Sequence, residues 1–528
     1  MAEAATVEAA ALVARGMDWP RRDWALLDVR DVGEYERGHV PGATSLPRRM
    51  LEFRAGEVMP DRGWPVVVYD SGRPGDLRAM LAAERLGEMG YGRVEMLDRG
   101  LLGWTAEGRA LAVGVNVPCK RFGEEVLEGD GVKLVPPDAL MRDGAGVLCD
   151  VRTAGEFSDH HLGGAVSLPG FELAGQLPGL ARRHDRIVLN CAGRTRSIIA
   201  AATAGALGYD CAALENGTMG WRLAGGEVAR GAGGDVPDAA AADVAAVTAR
   251  ARELAVSLGV VAVAAEDLAR RRAADGAARP YVLDVRTREA FEAGHVPGAI
   301  HLPGGQAIQR TDDFLAVPGA PFAVIDDGDA RAWLAAWWLT RMGFAGVAVL
   351  DGGMPAWRAA RLDVETGRGR MRPEVIDRLV ADVPVVSCDA LMEPGAAPVV
   401  IDVSSSRAHA KGHLPEAIWI SRGWLEHEVR RHASPGDEIV VTAGDLVQAK
   451  LGAEALLRAG YRRAVALDAG LEDWRAMGGT VETGPVPPHA MDVVEPPYAK
   501  GEAAMRAYLE WEVRLTAGEV NETEGSLT

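Results

Sequence analysis

The sequence predicts an α/β protein of four tandem domains, each a parallel sheet with helices on both faces, and three observations predict it. An apolar-Asp-Val segment recurs four times, as LDVR at 27–30, LCDVR at 148–152, VLDVR at 282–286 and VIDVS at 400–404. A histidine stands eleven residues after each aspartate (His39, His161, His295, His413), in the settings GHVPGA, HHLGGA, GHVPGA and GHLPEA. Short β-branched runs alternate with helical patterns such as 76–90 and 196–208. Runs such as VVVY at 66–69 lack polar alternation, which is the mark of a central parallel strand buried on both sides.

At 528 residues the chain is too long for one hydrophobic core. A repeat of about a hundred residues is a whole domain and not a solenoid unit. The spacing places domains at 1–113, 132–230, 259–366 and 381–482, with a tail at 483–528. About thirty residues after each histidine comes a buried strand, VVVYD, RIVLNC, FAVID or EIVVTA. Gly-x-x-x-Trp closes each copy, at Gly100 and Trp104, Gly217 and Trp221, Gly353 and Trp357, and Gly470 and Trp474. The Ala-rich start lacks a basic region and reads as an amphipathic helix, not a secretory signal. Residues 112–131, 231–258 and 366–380 read as linkers, the second continuing into an Ala-rich helix; the tail is Pro-rich, then helical at about 499–516, then polar and disordered. The stretch WLAAWWL at 333–339 has helical spacing and is expected to pack domain against domain.

Taken together, D-V-R, G-H-[IV]-P-G-A, a buried strand opening into a Cys loop, and G-x-x-x-W resemble the rhodanese family of sulfurtransferases, over nearly the whole chain. The resemblance implies four tandem rhodanese-like domains, each with a five-stranded parallel sheet, and sulfur transfer through a cysteine persulfide.

Counting from the histidines, the position at the end of the central strand holds Asp70, Cys191, Asp326 and Ala443. Only Cys191 is a nucleophile, so the first, third and fourth copies are expected to be catalytically silent. An aspartate here resembles the inactive half of two-domain rhodaneses; Asp70 and Asp326 are expected to be solvated loop residues or a negative site. The loop Cys191-Ala192-Gly193-Arg194-Thr195-Arg196-Ser197 lies between a strand end and a helix start. Backbone N–H groups there lack intrahelical partners and, with the helix dipole, favour an anion such as a thiolate or a persulfide. Gly193 is expected to permit tight curvature. Arg194 and Arg196 offer forked donors to an oxyanion, Arg194 less securely because it has room to point outward. Ala192, Thr195 and Ser197 complete the expected donor-binding loop.

The other cysteines make no comparable case. Cys149 and Cys211 lie in apolar strands, Cys119 in a linker and Cys388 in a silent copy; no CxxC or zinc spacing occurs, so no metal, cofactor or disulfide framework is expected. Asp150, Arg152, His161, Gly217 and Trp221 have counterparts in copies without the thiol, which assigns them to the fold ahead of catalysis. A Cys-dependent phosphatase would want C-x5-R, and Ser197 breaks that pattern. The expected partners are therefore a small anionic sulfur donor, thiosulfate or mercaptopyruvate, and an acceptor, cyanide or a thiol, including a protein thiol. A persulfide carrier that docks on a partner protein is the alternative. A net charge of −18 argues against nucleic acid, and no apolar run reaches membrane-spanning length. Sparse, odd cysteines suit a cytoplasmic setting.

Overall fold

The structure, a computed structural model, describes residues 5–17, 19–144, 146–234, 239–273, 279–369, 374–393 and 398–516. Four five-stranded parallel sheets share one strand order. The second sheet, which carries Cys191, runs Lys133–Val135, Cys211–Leu214, Ile187–Asn190, Val147–Asp150, Val166–Ser167 from edge to edge. The central strand is fully buried in every copy, at Val66–Tyr69, Ile187–Asn190, Phe322–Ile325 and Ile439–Thr442. That is why these runs show no polar alternation.

Alternate residues of a strand point to opposite faces, and here the faces have different fates. One face of each sheet has its own apolar cluster, around Trp104, Phe157, Trp357 and Trp474. The opposite faces merge into a single core that runs through all four domains. The tryptophan stretch belongs to it: in helix Ala330–Arg341, Trp338 Nε1 donates to Thr203 Oγ1 of the second domain at 2.8 Å.

Two linker expectations are corrected. Residues 112–131 contain helix Val117–Gly129, whose apolar side (Cys119, Val126) packs against helix Thr195–Ala206. Residues 366–380 contain helix Glu374–Leu379, with Val375 and Ile376 buried. The Ala-rich helix is Ala241–Ser257, the N-terminal one is Ala9–Arg15 behind an edge strand at Ala5–Val7, and the tail helix is Glu502–Arg514. The polar end beyond 516 lies outside the described residues.

Candidate active site

The recurrent landmarks form a frame. Arg152 grips Asp150 with Nε and Nη2 and donates to the His160 carbonyl, tying the strand end to the chain just before His161. Asp28–Arg30 and Asp284–Arg286 repeat the arrangement. In the fourth copy Ser404 replaces the arginine, and His409 meets Asp402 at 2.7 Å instead. His161 Nδ1 lies 2.9 Å from the Phe157 carbonyl and its ring stacks on Phe157 at 4.0 Å. His39, His295 and His413 each bond the carbonyl four residues back in the same way. The tryptophans donate to Ala110, Glu227, Asp363 and Thr480 carbonyls. The same bonds form whether or not a thiol is present, so these residues hold the fold.

Cys191 follows the central strand and is 2% exposed. Its carbonyl accepts from Thr218 N and Oγ1, and the Ala192 carbonyl from Met219 N. These bonds pin the loop to the Gly-x-x-x-Trp segment. Gly217 has φ of 54°, and a Cβ there would stand 2.4 Å from the Cys191 carbonyl oxygen, so glycine is needed for both conformation and space. Cys191 Sγ lies 3.4 Å from Ser197 Oγ, which bonds the Arg194 carbonyl at 3.0 Å. With the single Ser197 proton committed there, the protonated thiol is the donor of the pair. Helix Thr195–Ala206 starts with no side-chain cap, leaving its first N–H groups directed at the loop.

The two arginines are both engaged. Arg194 Nε and Nη2 bond Glu124 at 2.7 Å each, and Nη1 bonds Asn216. Two of its nitrogens thus anchor the loop to helix Val117–Gly129 and the third to Asn216, at the start of helix Gly217–Leu223. Arg196 forms a two-pronged pair with Glu156 at 2.7 and 2.8 Å while remaining in the field of Cys191. Gly193 does not adopt a left-handed φ; its role is space, since a Cβ would come within 2.9 Å of Met219 Cε. Thr195 Oγ1 donates to Glu512 Oε1 at 2.6 Å. Glu124, Glu156, Asn216, Thr218 and Glu512 carry no local sequence signal for these roles. Asn190, which joins Asp150 to Thr218, was marked only by its place beside the cysteine.

The sibling positions correct an expectation. Asp70 and Asp326 are buried, not solvated. Asp326 Oδ1 accepts from Gly328 N and Oδ2 from Ala332 N, both at 2.8 Å. Asp70 accepts from Gly72 N and Ala79 N, both at 2.9 Å. Burial, reinforced by the neighbouring Asp76 and Asp329, pushes both carboxyls up. Each side chain occupies the N–H cradle of its loop. The donors in the third domain lie two and six residues after Asp326; the same steps from Cys191 reach Gly193 and Ser197.

Burial pushes the thiols of Cys149 and Cys211 up to about 12, and that of Cys119 higher still, so these stay protonated. All five cysteines are free, and among the described residues no cluster of His, Cys, Asp or Glu is placed to hold a metal. No helix among them is long and apolar enough to cross a membrane.

Fold and site together define a tandem α/β protein with one thiol-bearing loop among four related loops. The rhodanese-like domain model matches residues 9–107, 138–224, 264–360 and 387–477, and the chain belongs to that family. A crystal structure of a thiosulfate sulfurtransferase from Pseudomonas aeruginosa is 33% identical, with a TM-score of 0.83 and 97% of each chain covered. SseB of Mycobacterium tuberculosis is 36% identical over 118 residues, a match spanning 16% of this chain and 40% of SseB. The thiosulfate sulfurtransferase GlpE of Pseudomonas putida is 37% identical over 90 residues, covering 17% of this chain and 77% of GlpE.

Proposed function

We propose that the protein is a sulfurtransferase that moves sulfane sulfur from thiosulfate, or a similar small anionic donor, to cyanide or a thiol through a persulfide on Cys191. The observation that carries this reading is the paired N–H cradle around Asp326, filled there by a carboxylate. By the same offsets the matching N–H groups in the second domain are those of Gly193 and Ser197, beside a side chain of one atom, which would leave room for a second sulfur atom beyond it. The Cys191 thiolate attacks the outer sulfur of thiosulfate, the S–S bond breaks and sulfite leaves with the electron pair. The acceptor then takes the outer sulfur and the thiolate returns. Splitting the transfer into two displacements needs no metal or organic cofactor. The likeness to named thiosulfate sulfurtransferases supports the reading.

Incubation with thiosulfate should add one sulfur to the Cys191 peptide in the mass spectrum, and Cys191→Ser should abolish both that adduct and thiocyanate formation. Parallel double-reciprocal lines are expected. Full thiocyanate formation by Cys191→Ser would sink the proposal.

A further inference from the structure

The tail helix Glu502–Arg514 lies on the Cys191 loop, although it is remote in sequence. Met505 and Leu509 pack on Met219. Tyr508 and Trp511 hold the Lys120 ammonium at 4.9 and 4.7 Å from their ring centroids, and Lys120 Nζ donates to the Val115 carbonyl. One turn beyond Tyr508, Glu512 is 2% exposed. Its Oε1 accepts the Thr195 hydroxyl, whereas its buried Oε2 has no hydrogen-bond partner. That oxygen lies 3.5 Å from where a Cβ on Gly193 would be, so it stands beside the loop residue that matches Gly328 of the third-domain cradle. A buried carboxylate oxygen without a partner is costly unless a ligand meets it.

The charges around the loop give this oxygen its consequence. Arg194 is paired with Glu124 and Arg196 with Glu156; Lys120 is the cation acting most strongly on Glu512 and is itself shared with Asp312 and Glu36, while Glu215 adds its charge beside Arg194. We propose that Glu512 is the donor-selecting residue of the Cys191 site: protonated, it donates a hydrogen bond to an anionic donor, and ionised, it repels one. The inference rests on Cys191 being the reactive thiol. Burial pushes the Glu512 carboxyl up, and Glu124 acts in the same direction; Lys120, the Thr195 hydroxyl and Arg194 oppose them without reversing the shift. On its own helix, Tyr508 faces Glu512 and Cys191 with its hydroxyl held protonated by burial. Rising pH therefore ionises Glu512 and turns the site against anions.

The test compares alkylation of Cys191 in the full chain by iodoacetate, an anion, and iodoacetamide, its neutral isostere, read on the Cys191 peptide by mass spectrometry. In the unaltered protein the iodoacetate-to-iodoacetamide rate ratio should fall as pH rises. Glu512→Gln should raise that ratio on the order of tenfold near pH 8, the effect of removing one like charge at close range, and flatten its pH dependence. Glu512→Met, which also removes the Thr195 bond, should do the same. Loosening of the helix speeds both reagents and leaves the ratio alone, so an unchanged ratio in both variants overturns the inference. The ratio decides this without reference to sulfur transfer. Normal persulfide formation with an unchanged ratio removes the role of Glu512 and leaves the sulfurtransferase reading intact. A shifted ratio in a protein that takes no sulfur from thiosulfate does the reverse.

Discussion

Gly217 shows how closely the nucleophile loop is held. A methyl group there would stand 2.4 Å from the Cys191 carbonyl oxygen and 2.5 Å from that of Gly193, at a φ of 54° that side chains resist. Gly217→Ala should therefore cost about 1–3 kcal/mol in urea unfolding, typical of a strained backbone position. It should also slow persulfide formation at Cys191 at least about tenfold, because a displaced cradle loses alignment with the thiol. Stopped-flow mass spectrometry with thiosulfate measures the second effect, and an unchanged rate would mean that the loop tolerates displacement. Cys149 and Cys211, held protonated by burial, should stay unmodified in the same experiment.

Between elements, Glu156 serves two helices at once. It closes the capping box of helix Ala154–Asp159 with Thr153 and clasps Arg196 in the first turn of helix Thr195–Ala206. Burial pushes its carboxyl up, but the Arg196 charge and hydrogen bonds outweigh that and hold it down at about 2. A carboxyl depressed by folding stabilises the protein above its ordinary value of 4.5 and loses that contribution as pH falls through about 2. Glu156→Gln keeps much of the cap and removes the ion pair. The urea midpoint of the unaltered protein should exceed that of the variant at neutral pH, with the gap closing between about pH 4.5 and 2. A gap constant across that range would show that the pair acts through shape and not charge.

For the whole molecule, the first and fourth domains meet through a reciprocal pair of arginines. Arg48 bonds Glu426 and the Arg422 carbonyl, while Arg422 bonds Glu52 and the Arg49 carbonyl. Arg422 and Glu52 are almost fully buried, which makes the loss of one partner costly even with Arg85 still beside Glu52. Arg422→Ala should lower stability by about 3 kcal/mol. Iodoacetamide alkylation of Cys191 should keep its rate, since that loop is braced by helix Val117–Gly129 and the tail helix. A large acceleration would instead show that the four-domain core holds the site closed as a unit.

The strand runs, the Asp–His–Trp landmarks and the single thiol at Cys191 are local patterns, and so they were determined by sequence alone. Side-chain period reports burial, and repeats at matched spacing report equivalent positions. His161 could be assigned to the fold for the same reason, because it recurs in copies without the thiol, and its bond runs only four residues back along the chain, to the Phe157 carbonyl. The merging of four sheets into one core was decided by tertiary structure, as was the engagement of Arg194 with Glu124 and of Thr195 with Glu512. A charged or hydroxyl side chain takes its partner from whichever distant element packs over it, and spacing carries no record of that choice. Helix Val117–Gly129 and the tail helix were the elements that packed there, and they turned an exposed-looking loop into a covered site.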